Sequence, residues 1–182
     1  MKAITVFLFL IAIVFADGAS ALAQQVSGVS VYKLGAGDVI SIKVFGEDDL
    51  SREKIQVSDA GTVPYPVLGE LKILGHTVGE LERQVTDGLR GRYLVNPRVS
   101  VTIEQYRPFF VNGQVASSGA FPFQPGMTVS KAISLAGGLK ERASVNKMFL
   151  LREGDPSRTR VKVDMNSEVR PGDVLTVEES FF

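Results

Sequence analysis

One phrase occurs twice in this chain, once near each end. Ala36–Gly37–Asp38–Val39–Ile40–Ser41–Ile42 returns as Pro171–Gly172–Asp173–Val174–Leu175–Thr176–Val177. Each copy is a Gly-Asp turn that runs into residues favouring strands. Asp38 and Asp173 are expected to accept backbone donors within their turns, with Gly37 and Gly172 supplying the bend. Two helix-sized segments lie between the copies, and no catalytic cluster does. Two partial copies make no solenoid. They point to small strand-rich modules in a non-enzymatic binding or assembly protein.

Hydrophobic periodicity fills in the modules. Ile40, Ile42 and Val44 alternate with Ser41 and Lys43, which predicts a strand from Val39 to Phe45 with one apolar face. Lys54–Val57 and Thr62–Val67 read as two arms of a hairpin around Asp59–Ala60–Gly61, with Gly61 in the turn. Pro64 and Pro66 confine the second arm to an edge. Leu71–Leu74 is a further short run. Thr77 and Glu80 then have the spacing of a capping box. Val78, Leu81, Val85 and Leu89 follow on one helical face, and Gly91 ends the helix. Val99, Val101 and Ile103 return to strand alternation.

The rhythm repeats after Tyr106–Arg107–Pro108. Phe109–Val115 and Phe121–Phe123 are extended, and Thr128 caps a helix carrying Val129, Ala132, Ile133 and Ala136. Gly137–Gly138 stops that helix, because glycine takes the left-handed cap position without Cβ strain. Met148–Leu151, Val161–Val163 and Val174–Val177 are the remaining strands. The expected fold class is α+β, with one module over 32–107 and another over 108–182.

The N-terminus reads differently. Met1–Lys2, an apolar run from Ala3 to Ala16 and then Ala21–Leu22–Ala23 predict a secretory signal over residues 1–23, cut before Gln24. The run is shorter than the roughly 20 residues of a membrane span. An uncleaved anchor is the alternative. Residues 24–31 are small and polar and are expected to form a flexible N-terminal segment. The chain has 20 Lys+Arg and 20 Asp+Glu, so no long-range field is expected to draw in nucleic acid. It has no cysteine, which removes disulfides, thiol nucleophiles and thiolate metal sites.

Motif chemistry is sparse, and no cofactor, catalytic residue or metal ligand is expected. His76 is the one histidine and lacks partners for zinc. Gly35–Ala36–Gly37–Asp38 precedes a strand, whereas a phosphate loop needs Gly-Lys-Ser/Thr and a dinucleotide fingerprint needs a following helix. The acidic run Glu47–Asp48–Asp49, with Arg52, is a solvated loop without the calcium-loop spacing. Tyr106–Arg107–Pro108–Phe109–Phe110 has two readings. Tyr106, Arg107 and Phe109 either form the core of a module junction or contact a glycan or partner. Phe181–Phe182 either packs back or inserts into a partner.

Longer phrases carry a resemblance. Tyr32–Lys33–Leu34–Gly35–Ala36–Gly37–Asp38–Val39–Ile40–Ser41–Ile42, then Asp49–Leu50–Ser51, Val57–Ser58–Asp59–Ala60–Gly61–Thr62 and Pro66–Val67–Leu68–Gly69 resemble the polysaccharide biosynthesis/export family of outer-membrane export proteins. Gly75–His76–Thr77–Val78–Gly79–Glu80–Leu81 and Tyr93–Leu94–Val95–Asn96–Pro97–Arg98–Val99–Ser100–Val101 continue the likeness in order. Val111–Asn112–Gly113–Gln114–Val115, Thr128–Val129–Ser130–Lys131–Ala132–Ile133, Ala136–Gly137–Gly138–Leu139 and Arg170–Pro171–Gly172–Asp173–Val174–Leu175–Thr176–Val177 resemble the SLBB β-grasp domain that follows in that family.

The resemblance implies a periplasmic part of an exopolysaccharide or capsule export machine, with peripheral association to the outer membrane as one option, and no enzyme. It implies a ring-like homo-oligomer between an inner-membrane polysaccharide co-polymerase and a separate outer-membrane β-barrel, with the polysaccharide passing through. A lipidated cysteine and a C-terminal pore helix of larger relatives have no counterpart in these residues, so the short type is expected. Glu47, Asp48, Asp49 and Arg52 are the expected lumen or interface residues. The rival reading is a non-oligomeric periplasmic glycan-binding module using Tyr106 and Arg107. A lyase or hydrolase is a third possibility, although acidic pairs are common in any sequence.

Overall fold

The computed structural model describes residues 31–180. The expected signal over 1–23, nearly all of the 24–31 segment, and Phe181–Phe182 lie outside the described residues. The fold is α+β, with two separate hydrophobic cores along the chain.

The first half runs β1 (Val39–Val44), β2 (Arg52–Gln56), β3 (Thr62–Tyr65), β4 (Gly69–Lys72), α1 (Val78–Leu89) and β5 (Val99–Gln105). Alternation in β1 drives Ile40, Ile42 and Val44 into the core. β1 lies between β2 and β5, antiparallel to both, so the first copy of the repeated phrase is the central strand of its sheet. Helix α1 buries Leu81, Val85 and Leu89 in the same core. Its capping box is formed. The Thr77 hydroxyl accepts from the Glu80 amide at 3.3 Å, and the Glu80 carboxylate accepts from the Thr77 amide at 2.7 Å.

One expectation fails here. The arms on either side of Asp59–Ala60–Gly61 do not pair with each other. β2 joins β1, while β3 pairs with β4. The turn itself closes, with the Ser58 amide donating to the Thr62 carbonyl at 3.0 Å. The ladder groups beyond it are taken elsewhere. Val57 exchanges backbone bonds with Asp38 and Gly37, and the Gly61 carbonyl accepts from Ile73 and Leu74. The chain therefore leaves one sheet and enters a separate two-stranded ribbon at this turn.

The second half runs β6 (Phe109–Gly113), β7 (Gly119–Phe121), α2 (Val129–Leu135), β8 (Ala143–Leu151), β9 (Arg160–Val163) and β10 (Val174–Glu179). The sheet order is β7-β6-β10-β8-β9. β10 enters the centre, parallel to β6 and antiparallel to β8. A hairpin, a helix and a last strand inserted beside the first make a β-grasp. The second copy of the phrase is thus again a central strand. Helix α2 buries Val129, Ala132 and Ile133. It ends at Gly137 and Gly138, both left-handed, where the Gly138 amide donates to the Ile133 carbonyl at 2.9 Å. No helix among the described residues is long and apolar enough to cross a membrane.

Candidate functional site

The repeated phrase builds the same device twice. Gly35–Ala36–Gly37–Asp38 and Arg170–Pro171–Gly172–Asp173 are tight turns whose third residue is a left-handed glycine, at φ +90° and +81°. That position favours glycine, and Pro171 suits the one before it. The turn's last residue points its carboxylate back at the amide of the first. Asp38 Oδ2 accepts from the Gly35 amide at 2.8 Å, and Asp173 Oδ2 from the Arg170 amide at 2.7 Å. Both aspartates are essentially inaccessible, at 0% and 1% exposure. A buried carboxylate needs a paired cation. Each has an arginine supplied from just past the strand antiparallel to its own: Arg107 after β5, and Arg152 after β8.

The first turn is the more heavily bonded. Asp38 also accepts from the Arg107 amide at 2.8 Å, the Arg107 guanidinium at 3.1 Å and the Tyr32 hydroxyl at 2.7 Å. Burial, and then the hydrogen bond to the neighbouring carboxylate, push the Tyr32 phenol far above its usual range. At the second turn, burial pushes the Asp173 carboxyl upward, opposed by the Arg170 amide and the Arg152 guanidinium.

The two turns meet at the link between the domains. Arg107 donates its amide to Asp38, and the next residue, Pro108, accepts the Gly172 amide at 2.9 Å. Consecutive link residues are therefore held by opposite turns. The Arg107 guanidinium also pairs through Nε with Glu153 of the second domain. It lies against Gly35, and the Glu153 carboxylate lies against Gly172, so a Cβ at either glycine would overlap the ion pair. An aromatic row crosses the same joint. Tyr32 meets Tyr106 edge-on at 4.9 Å, and Tyr106 meets Phe123 at 5.4 Å.

A second feature sits on the outward face of the first sheet. Ser41 and Lys43 of β1, Ser100, Thr102 and Glu104 of β5, and Lys54 of β2 line an open polar groove of about 370 Å³. It is wide enough for a small polar ligand and has few apolar walls. Among the described residues no acidic or histidine cluster is arranged to hold a metal ion.

A family model described as "Polysaccharide biosynthesis/export protein" matches residues 27–104. A model of the SLBB domain matches residues 108–161. The chain belongs to the polysaccharide export family. The gap between the two matches contains Arg107, the residue that ties the joint. Exopolysaccharide production protein ExoF of Rhizobium meliloti is 31% identical over 158 residues, covering 78% of this chain and 35% of that protein. EPS I polysaccharide export outer membrane protein EpsA of Ralstonia nicotianae is 25% identical, covering 81% of this chain and 47% of that protein. EpsA of Ralstonia solanacearum is also 25% identical, covering 85% and 50% respectively. The chain thus spans between about a third and a half of the length of these curated relatives. The family is one of export proteins and not of enzymes.

The residues singled out in the sequence fall in three places. Tyr106 and Arg107 lie in the joint between the export and SLBB domains, and the Arg107 side chain is only 16% exposed. Phe109 is fully buried in the SLBB core, so as a glycan or partner contact it is corrected: its ring has no surface to offer. Glu47, Asp48, Asp49 and Arg52 are exposed around a 3-10 turn at Asp48–Leu50. Asp48 and Arg52 reach the rim of the polar groove. Arg52 also ties its own loop, donating to the Asp49 carbonyl at 3.1 Å and the Ser51 carbonyl at 2.7 Å.

Sequence reasoning missed Tyr32, Arg152 and Glu153 at the joint, and Lys54 and Thr102 in the groove. One signal was available for the arginines: each Gly-Asp turn needs a buried cation, and an arginine follows a neighbouring strand in each domain.

Proposed function

We propose that this protein is a periplasmic component of an exopolysaccharide export machine. In this reading it forms a ring-like homo-oligomer, associated with the outer membrane, that completes a path from an inner-membrane polysaccharide co-polymerase to an outer-membrane β-barrel. The observation that carries the proposal is the order of domains. An export domain precedes an SLBB domain, as matched by both family models, and two similar proteins bear names as polysaccharide export outer membrane proteins. Closed rotational symmetry lets a small subunit surround a polymer. The work is confinement and guidance, with no bond made or broken. A joint bonded from both domains suits that work, because a collar subunit must present both domains at a constant angle.

Deleting the gene and assaying polysaccharide inside and outside the cell tests the proposal. Extracellular polymer should fall and return when the gene is restored. Unchanged extracellular polymer in the deletion strain would overturn it.

A further inference from the structure

We propose that the outward face of the β2-β1-β5 sheet is a saccharide-binding subsite for a short, uncharged segment of polymer. This rests on the export reading and names where on the export domain the chain would be held.

Three observations carry it. The first is the backbone. In a regular strand consecutive residues face opposite sides, yet Arg52, Glu53 and Lys54 all line the groove. They do so because β2 bulges. Ile40 pairs with Ile55 and Ile42 with Arg52, so Glu53 and Lys54 together oppose Ser41 alone. Lys54 takes a left-handed φ of +53°, and its amide is held by the Ser41 hydroxyl at 3.1 Å. Bulges of this kind re-aim side chains beside functional sites, and a left-handed non-glycine residue persists only where its surroundings hold it.

The second observation is charge. Lys43, Arg52 and Lys54 face Asp48, Glu53 and Glu104, three cations against three carboxylates. Among the described residues none of these six forms an ion pair within the groove or outside it. The balance disfavours a polyanion; Arg52 already donates to the Asp49 and Ser51 carbonyls, while Lys43, Lys54 and the three carboxylates keep donors and acceptors for a ligand.

The third is hydrogen-bonding character. Hydroxyls of Ser100 and Thr102 intersperse the charges. Sugar hydroxyls both donate and accept, and match such a mixture. Phe45, the residue after β1, is 50% exposed, and the Lys43 ammonium of the groove lies 5.7 Å from its ring, which puts an apolar surface for sugar C–H groups next to the groove. A second copy of the chain is the poorer fit, since the centre of a protein interface is depleted in charge.

The test titrates the isotope-labelled exported protein with oligosaccharides cut from the producing cell's own polysaccharide. Amide shifts should cluster at Ser41, Lys43, Ser100 and Thr102. Thr102→Val, which keeps the side chain's shape, should weaken binding about tenfold, as should Glu104→Gln. No binding, shifts centred on another surface, or unchanged affinity in both variants would overturn the subsite. So would concentration-dependent shifts of these amides without sugar, which would mark the face as a contact between copies. Export lost on gene deletion with no saccharide at this groove removes the subsite and leaves the export reading standing. Export unaffected by deletion removes that reading, whatever the groove binds.

Discussion

Asp38→Ala is expected to destabilise the export domain by about 3–5 kcal/mol, the cost of leaving one partner of a buried ion pair alone. The change strips the Gly35 amide, the Arg107 amide, the Arg107 guanidinium and the Tyr32 hydroxyl of their shared acceptor. Gly35 is buried and the Arg107 side chain is only 16% exposed, so water replaces the lost acceptor poorly. Chemical denaturation monitored by circular dichroism reads the effect as a lowered midpoint. Asp173→Ala should cost less. Its arginine is 30% exposed, against 16% for Arg107, and can recover water. Asp87→Ala supplies the baseline. Its ion pair with Arg90 is exposed on both sides, and its loss should change stability by no more than about 1 kcal/mol. Equal effects at Asp38 and Asp87 would refute the role given to the turn.

Gly113→Ala is expected to destabilise the SLBB domain by about 3 kcal/mol or more, from two sources. The residue sits at φ +91°, where an alanine is strained. Its Cβ would also overlap the Val177 carbonyl, its partner in the parallel β6–β10 pair. Backbone cannot swing aside as a side chain does, so the central strand pairing itself must open. Gly69→Ala separates the two sources. It has a left-handed φ of +73° with no atom within 4 Å of a new Cβ, so only the conformational penalty of about 1–2 kcal/mol applies. Similar midpoints for the two alanine variants would contradict the steric account.

What was legible in the sequence was local. Alternation of Ile40, Ile42 and Val44 marks a strand because burial of one face depends on neighbours two residues away. Thr77 with Glu80, and Gly137 with Gly138, mark helix ends because the unsatisfied backbone groups lie within one turn. Long phrases in order carried the family likeness, and the two family models agree with it. Partnership was not legible. A turn at Asp59–Gly61 looks like a hairpin whether or not its arms pair, and here Val57 is bonded to Gly37 and Asp38 instead. Arg107 meets Glu153 across 46 residues, a contact that no period announces. The bulge at Lys54 leaves no mark either, since Lys54–Ile55–Gln56 reads as ordinary strand. The repeated Gly-Asp phrase showed two turns. That they hold successive residues of one link follows only from how the domains fold around it.

Two copies of one carboxylate turn grip Arg107 and Pro108, and the export and SLBB domains are therefore expected to keep one angle. Residual dipolar couplings of backbone amides in the intact protein measure the angle and its constancy. A single alignment tensor that fits amides of both domains is the predicted result. Two tensors of different magnitude, the mark of domains reorienting about residues 107–108, would contradict it.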